Sequence, residues 1–536
     1  MSVIPDEDVA RRDWFDRASD WCNPILVKEV RQALKSRAFV VTFLLLLLGS
    51  WMISAFGLLA AGPSVEYGSV GQAFFTFYFG VLCMALGVVV PFGAFRSLLN
   101  ERDDNTYELL SITSLTPGQI VRGKWACAIV QTLLFYSAIA PFIAFTSLLQ
   151  GFDFAQAGVL LIAALYGSLA LSITTLMLST TAKQRVWQGF LSMSVVSGLC
   201  GLIALVLSGL STLMMFPLPL DQPEFWWAIT FIVVMSASYQ WLFYQIAAAR
   251  LTFESENRST GIRLTASAQF WLFWGCAALY AIYTRVRFGE ELVIFLIGAS
   301  GVHLAIVGLA FSAEPDFLSR RVRRTLPRLA AVRPIWMPLL PGGSRGFLFL
   351  LLHVVALWVL AVAAWAMVQD GTGTFAVEKL RTLFVAPRYG WRSQPILFAT
   401  AVCCYIVIYA GLAASFLRWG QLLSPAFQGA HARTIIVILI AAGGIVPVSI
   451  RLGRFVSYGD VSIGDVMFPL WMFLNIFRNV ATAAQMWTIA AGALVVIALN
   501  IPAMIRASRT VLAGPVASAS RPHIVAGETI LEPAGV

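Results

Sequence analysis

Apolar and polar residues come in blocks along this chain rather than in alternation. Runs of about 20 or more apolar residues, long enough to cross a bilayer as helices, are separated by short polar segments. They lie near residues 38–62, 72–95, 125–149, 156–180, 188–213, 225–248, 267–284, 292–313, 346–369, 396–417, 434–450 and 484–505. Strand-length alternating segments are absent, which argues against an outer-membrane barrel. The pattern predicts an all-α, polytopic membrane protein with about 12 transmembrane helices. A further stretch, VMFPLWMFLNIF at 466–477, is too short to span and reads as an interfacial or half-membrane piece.

Composition agrees with the pattern. Of 536 residues 59% are hydrophobic and 12% charged, about half the charged share of a soluble domain. The net charge of +10 acquires a meaning once the spans are drawn. Of the 37 Lys and Arg, 28 fall on the segments that share a side with the N-terminus and nine on the other set. Short loops obey the positive-inside rule, so both termini are expected in the cytoplasm of a plasma or inner membrane. The charge thus belongs to the membrane face, and no nucleic acid is expected. About 37 mostly polar residues precede the first apolar run, too many for the n-region of a cleavable signal, so the first span is expected to remain as an anchor.

The same reading divides the chain. Residues 1–37 form an N-terminal cytoplasmic segment, 38–266 a first six-span unit, 267–506 a second six-span region and 507–536 a flexible cytoplasmic tail. The division is placed in the polar stretch 250–266. SRRVRRTLPR, Ser319 to Arg328, is a basic cluster suited to anionic headgroups.

Two polar stretches carry most of the information. In NPILVKEVRQALKSR, Asn23 can cap a helix and Pro24 suits its first position. Ile25, Leu26, Val30, Ala33 and Leu34 recur at helical spacing, with Lys28, Glu29, Arg31 and Lys35 placed on the other side. Such a helix lies in the interface ahead of the first span. In ERDDNTYELLSITSLTPGQIVRGKW, Asn105 and Glu108 have capping-box spacing, so a short helix starts at Thr106. Ser114 and Leu115 end it. Thr116, Pro117 and Gln119 then start a second helix that continues into the third span. A short, half-apolar helix outside the membrane is marginal alone. It needs a cover, either the bilayer and the chain's own loops or a partner.

Together the two stretches resemble those of ABC transporter permeases of the type-2 exporter class. The match falls on the helix before span one and on Glu101, Glu108, Leu109, Leu110, Pro117, Gly123 and Lys124, and extends over roughly residues 20–250. The resemblance implies a connecting helix at Asn23–Arg37 and a coupling helix near 104–114 that sits in a groove of a separate ATP-binding cassette subunit. Glu101, Asp104 and Glu108 then face basic groups of that partner, Tyr107, Leu109 and Leu110 fill its groove, and Thr106 and Lys124 belong to the same contact. Asn23, Pro24, Lys28, Glu29 and Arg31 belong to the connecting helix. It also implies a homodimer, or a heterodimer with another permease, contact with membrane lipids, and substrate passage between two six-span units. The six further spans lie outside this pattern.

No chemistry of the chain's own competes strongly. GQIVRGKW, Gly118 to Trp125, imitates a phosphate-binding loop but places Trp125 where Ser or Thr holds magnesium, and it follows a turn rather than a strand. ATP hydrolysis is therefore expected in the partner, with no cofactor and no metal on this chain. Span centres carry almost no ionisable residue, unlike ion-coupled carriers. His303 and His353 are the exceptions and read as hydrogen-bonding partners within the bundle. Seven Cys show no ligand spacing and read as small packing residues. The alternative reading is a lipid-handling enzyme or scramblase working without an ATPase, with Asp460 and Asp465 as its best acidic pair.

Overall fold

A computed structural model describes residues 24–63, 70–103, 115–149, 151, 153–181, 185–216, 218–253, 255–284, 289–367, 394–454, 466–478 and 480–514. Among these residues every regular element is a helix. Ten helices are long and apolar enough to cross a membrane, so the chain is a multi-pass membrane protein of the all-α class. A helix of 25 residues measures about 37 Å at about 1.5 Å per residue, enough for a hydrocarbon core of about 30 Å. The two remaining apolar runs also fall on helices, at Thr260–Thr284 and Gly429–Arg454. The first is diluted by Arg263, Gln269 and ring-bearing residues, and the second is apolar over Gly429–Ile445 among the described residues.

The chain forms two compact units, Met1–Thr252 and Phe253–Val536. The polar stretch 253–266, expected to close the first unit, packs with the second instead. The reason is Arg263, whose fully buried side chain is held by groups of the second unit.

Unit one opens with α1 (Pro24–Leu34) and α2 (Arg37–Ala61). The Ser36 hydroxyl accepts a hydrogen bond from Phe39 N at 3.2 Å and so starts α2 afresh. α3 (Gly71–Met84) passes through a π-turn at Ala85–Val89 into α4 (Val90–Asp103). Pro91 explains the turn: its ring lacks an N–H and collides with the carbonyl four residues back, so the helix widens just before it. α5 (Pro117–Thr146), α6 (Phe154–Ser179), α7 (Arg185–Met215) and α8 (Pro223–Leu251) follow. The α3–α4 span is the most enclosed of the unit, and Tyr78, Leu82, Phe135 and Ile139 are buried around it. α2, α7 and α8 leave most of their apolar surface outward, as helices bathed in lipid do.

Unit two contains α9 (Thr260–Thr284), α10 (Glu290–Ser312), the short α11 (Arg320–Arg324) and α12 (Arg333–Trp336), then α13 (Gly343–Met367), α14 (Gln394–Leu423), α15 (Gly429–Arg454), α16 (Pro469–Phe477) and α17 (Ala483–Leu512). α14 is the hub, with α10, α13, α15, α16 and α17 packed around it. α16 covers the stretch read as too short to span. Its nine residues reach only about 13 Å. Phe473 packs edge-on and Phe477 at a tilt against Phe398, and Tyr405 Oη donates to Val466 O at 2.7 Å. α17 continues to Leu512, so residues 507–512, expected in the tail, are helical. Its last turns are held because Val511 is buried with Val322, Leu326 and Leu340.

The two intramembrane histidines are bundle residues. His353 Nδ1 lies 2.8 Å from Phe349 O, which can only accept, so this nitrogen carries the proton. Nε2 then accepts from Ser267 Oγ at 2.9 Å. His303 Nε2 meets Ala266 O at 3.1 Å. Among the described residues Cys83, Cys127 and Cys403 are buried, while Cys200 is exposed.

Candidate functional site

The two informative stretches meet in unit one, at the end of the bundle where α1 lies. Thr116 caps α5 with a reciprocal box: its Oγ1 accepts from Gln119 N at 3.3 Å, and Gln119 Oε1 accepts from Thr116 N at 2.8 Å. Pro117 occupies the first turn, as expected. From that fixed start Lys124 sits two turns into α5 and points inward.

The Lys124 side chain is 1% exposed. Its ammonium faces three oxygens: Glu29 Oε1 at 2.8 Å, Glu101 Oε2 at 3.1 Å and Ser97 O at 3.2 Å. Lys28, half exposed, reaches Glu101 Oε1 at 3.2 Å from outside. Two cations and two carboxylates therefore balance. A buried ammonium is tolerated only when paired and hydrogen-bonded, and here its partners come from Glu29 of α1 and from Ser97 and Glu101, one turn apart on α4. Beneath the ions lies an apolar floor: Ile25, Leu98, Ile120, Val121, Ile173, Leu176, Ala247 and Leu251, drawn from five helices. Leu115, the first described residue after 104–114, packs against it.

The placement of the expected residues is thus mixed. Pro24 is the first described residue of α1, and Arg31 is exposed. Glu29, expected on the polar side, is buried one turn above Ile25, because Lys124 supplies a counter-charge there. Glu101 and Lys124, expected to face a partner, are turned into the chain and hold each other. Asn23, Asp104, Thr106, Tyr107, Glu108, Leu109 and Leu110 lie outside the described residues, as do Asp460 and Asp465. GQIVRGKW is continuous helix, and its lysine already faces two carboxylates.

Sequence reasoning missed a second polar cluster, in unit two. Arg263 is fully buried; its Nη1 donates to Pro338 O at 3.0 Å and to Leu340 O, and its Nη2 to Glu314 Oε2 at 2.6 Å and Gly342 O at 3.0 Å. Glu314 also accepts from Ser259 Oγ at 2.9 Å and Gly342 N at 3.1 Å. Asp316 accepts from Ser344 N at 2.8 Å. Arg345 Nε donates to Pro341 O at 2.7 Å, and Arg418 bonds Asn500 and Ser415. The available signal was a glycine pair, Gly342–Gly343, just ahead of an apolar run. A side chain on Gly343 would stand 2.6 Å from the carbonyl oxygens of Ser312 and Glu314.

Among the described residues no group of three or more His, Cys, Asp or Glu is arranged to hold a metal. No family model, no curated protein and no solved structure matches the chain.

Proposed function

We propose that the chain is the membrane-spanning permease subunit of an ATP-driven export system. In this reading it has twelve spans and both termini in the cytoplasm. It couples to a separate ATP-binding cassette subunit through residues 104–114, and two six-span units form the path. The observation that supports the reading most is the Lys124 joint. Segment 104–114 leaves from the helix turn that carries Glu101 and returns at Leu115, which packs on the apolar floor. Lys124 ties that same root to Glu29 of α1. A push on 104–114 is thereby delivered to α1 and, through Ser36 and Arg37, to the first span. Coupling of this kind requires a rigid root, and a neutral, buried ion network over an apolar floor supplies one. Glu101 and Lys124 transmit force in this scheme, and the docking surface is the segment between them.

Mild-detergent purification of the tagged full chain from its native membrane tests the proposal. A stoichiometric ATP-binding subunit should accompany it. An intact, dispersed chain that repeatedly purifies with no such subunit defeats the proposal.

A further inference from the structure

Away from the Lys124 joint, α4 and α7 diverge to leave a cleft of about 460 Å³. Arg96 and Asn100 line it from α4, and Arg185, Gln188 and Ser192 from α7, over a floor that includes Leu99. Leu99 belongs to an apolar cluster with Phe95, Val195 and Leu199 that closes the cleft from below. Among the described residues no carboxylate forms an ion pair with Arg96 or Arg185. Among the described residues the Arg96 guanidinium lies over the Phe92 ring, 5.9 Å from its centroid. Two cations beside one polar cleft repel each other unless an anion lies between them.

The surroundings indicate which anion. Arg185, Gln188 and Ser192 recur at helical spacing and form one stripe of α7. The neighbouring stripe carries Val186, Phe190 and Met193, which are 84%, 64% and 73% exposed. Trp187, 60% exposed, packs edge-on against Phe190. Both arginines lie within two turns of the ends of membrane-length helices, the depth at which headgroups sit. A polar, cationic cleft beside an aromatic and aliphatic stripe suits a molecule with an anionic head and apolar chains. We propose that this cleft binds the phosphate headgroup of an anionic phospholipid, with the acyl chains lying along the exposed stripe of α7.

The test uses the delipidated full chain in neutral detergent, titrated separately with phosphatidylglycerol, phosphatidylcholine and inorganic phosphate, with bound ligand read by native mass spectrometry. Phosphatidylglycerol should bind at least about tenfold more tightly than phosphatidylcholine, since each basic residue near an anionic headgroup contributes about 1 kcal/mol. Arg96→Gln with Arg185→Gln should abolish one phosphatidylglycerol site while leaving the sites supplied by the 319–328 basic cluster. Gly189→Leu keeps both charges and fills the cleft; no atom lies within 4 Å of a Cβ built there, so the fold tolerates it. It should remove the same site. Equal phosphatidylglycerol binding by wild type and both variants overturns the proposal. Inorganic phosphate binding as tightly as phosphatidylglycerol, and lost in the same variants, overturns the lipid assignment in favour of a free anion.

Discussion

The ammonium of Lys124 stands 2.8 Å from a carboxylate oxygen of Glu29, a residue 95 positions earlier in the chain. The contact joins the first described helix to the third membrane-length helix, and both partners are buried. Removing one side of a buried ion pair leaves the other uncompensated and costs about 3–5 kcal/mol. Lys124→Met should therefore lower the thermal midpoint of the detergent-solubilised chain by several degrees, because Glu29 and Glu101 are left facing each other. Glu29→Gln in the same background should recover part of the loss, with a coupling energy of about 0.5–3 kcal/mol for groups in contact. Additive effects of the two changes would show that the residues do not meet.

The apolar floor makes a separate prediction about α1. Ile25 is 4% exposed and Leu34 36%, so the helix is held at its beginning and is freer at its end. Ile25→Ser should release α1 locally and speed tryptic cleavage at Lys28, Arg31 and Lys35 severalfold. Leu34→Ser should leave the cleavage rate near wild type. Time-resolved digestion followed by intact-mass analysis reads both, and equal rates in the two variants would show that Ile25 does not anchor the helix.

In unit two the entry to α13 presses against the exit of α10. A methyl group on Gly343 would stand 2.6 Å from two backbone carbonyl oxygens, which cannot rotate away as a side chain can. Gly342 has φ +127°, and a side chain there would also meet Arg345 Nη2 at 2.5 Å. Gly343→Ala and Gly342→Ala should each destabilise the chain by about 1–3 kcal/mol. Gly275→Ala, in open space on α9, gains helix propensity of about 1 kcal/mol and should be neutral or stabilising. Thermal midpoints of the three variants, measured side by side, decide the matter.

These two polar clusters mark where sequence reading stops. Helix positions are legible because a lipid-facing helix must be apolar nearly all round, and twelve apolar runs fall on helices. The start of α5 is legible because the Thr116 box is local, closed within four residues. Glu29 is misplaced by the same kind of reasoning. Helical periodicity assigns a charge to the outer face unless a counter-charge is known, and Lys124 becomes its neighbour only after the spans have packed. Arg263 is hidden for the same reason, since the carbonyls that satisfy it belong to residues 338–342, more than seventy positions away. Burial of a charge is a tertiary event. Its sequence trace is an ionisable residue at the edge of an apolar run, and Lys124, Arg263, Glu314 and Arg345 all stand at such edges.

The docking prediction uses that geometry as its control. Glu101 and Leu115 bracket residues 104–114 and are both anchored in the unit. A change confined to Glu108 and Leu109 keeps Glu29, Glu101, Lys124 and the described residues of the apolar floor as they are. Under the proposed function, Leu109→Asp with Glu108→Arg places a charge where an apolar contact is required and reverses a second one, which costs a docked interface several kcal/mol. The variant should insert, purify as a dispersed species and melt like wild type, yet lose its ATP-binding subunit by at least about tenfold in co-purification. Lys124→Met should behave differently, lowering the melting temperature before any effect on the partner is counted. A partner retained at wild-type level by the Glu108–Leu109 variant would move the docking site elsewhere on the chain. The joint at Lys124 would then be a structural clamp and not a transmitter.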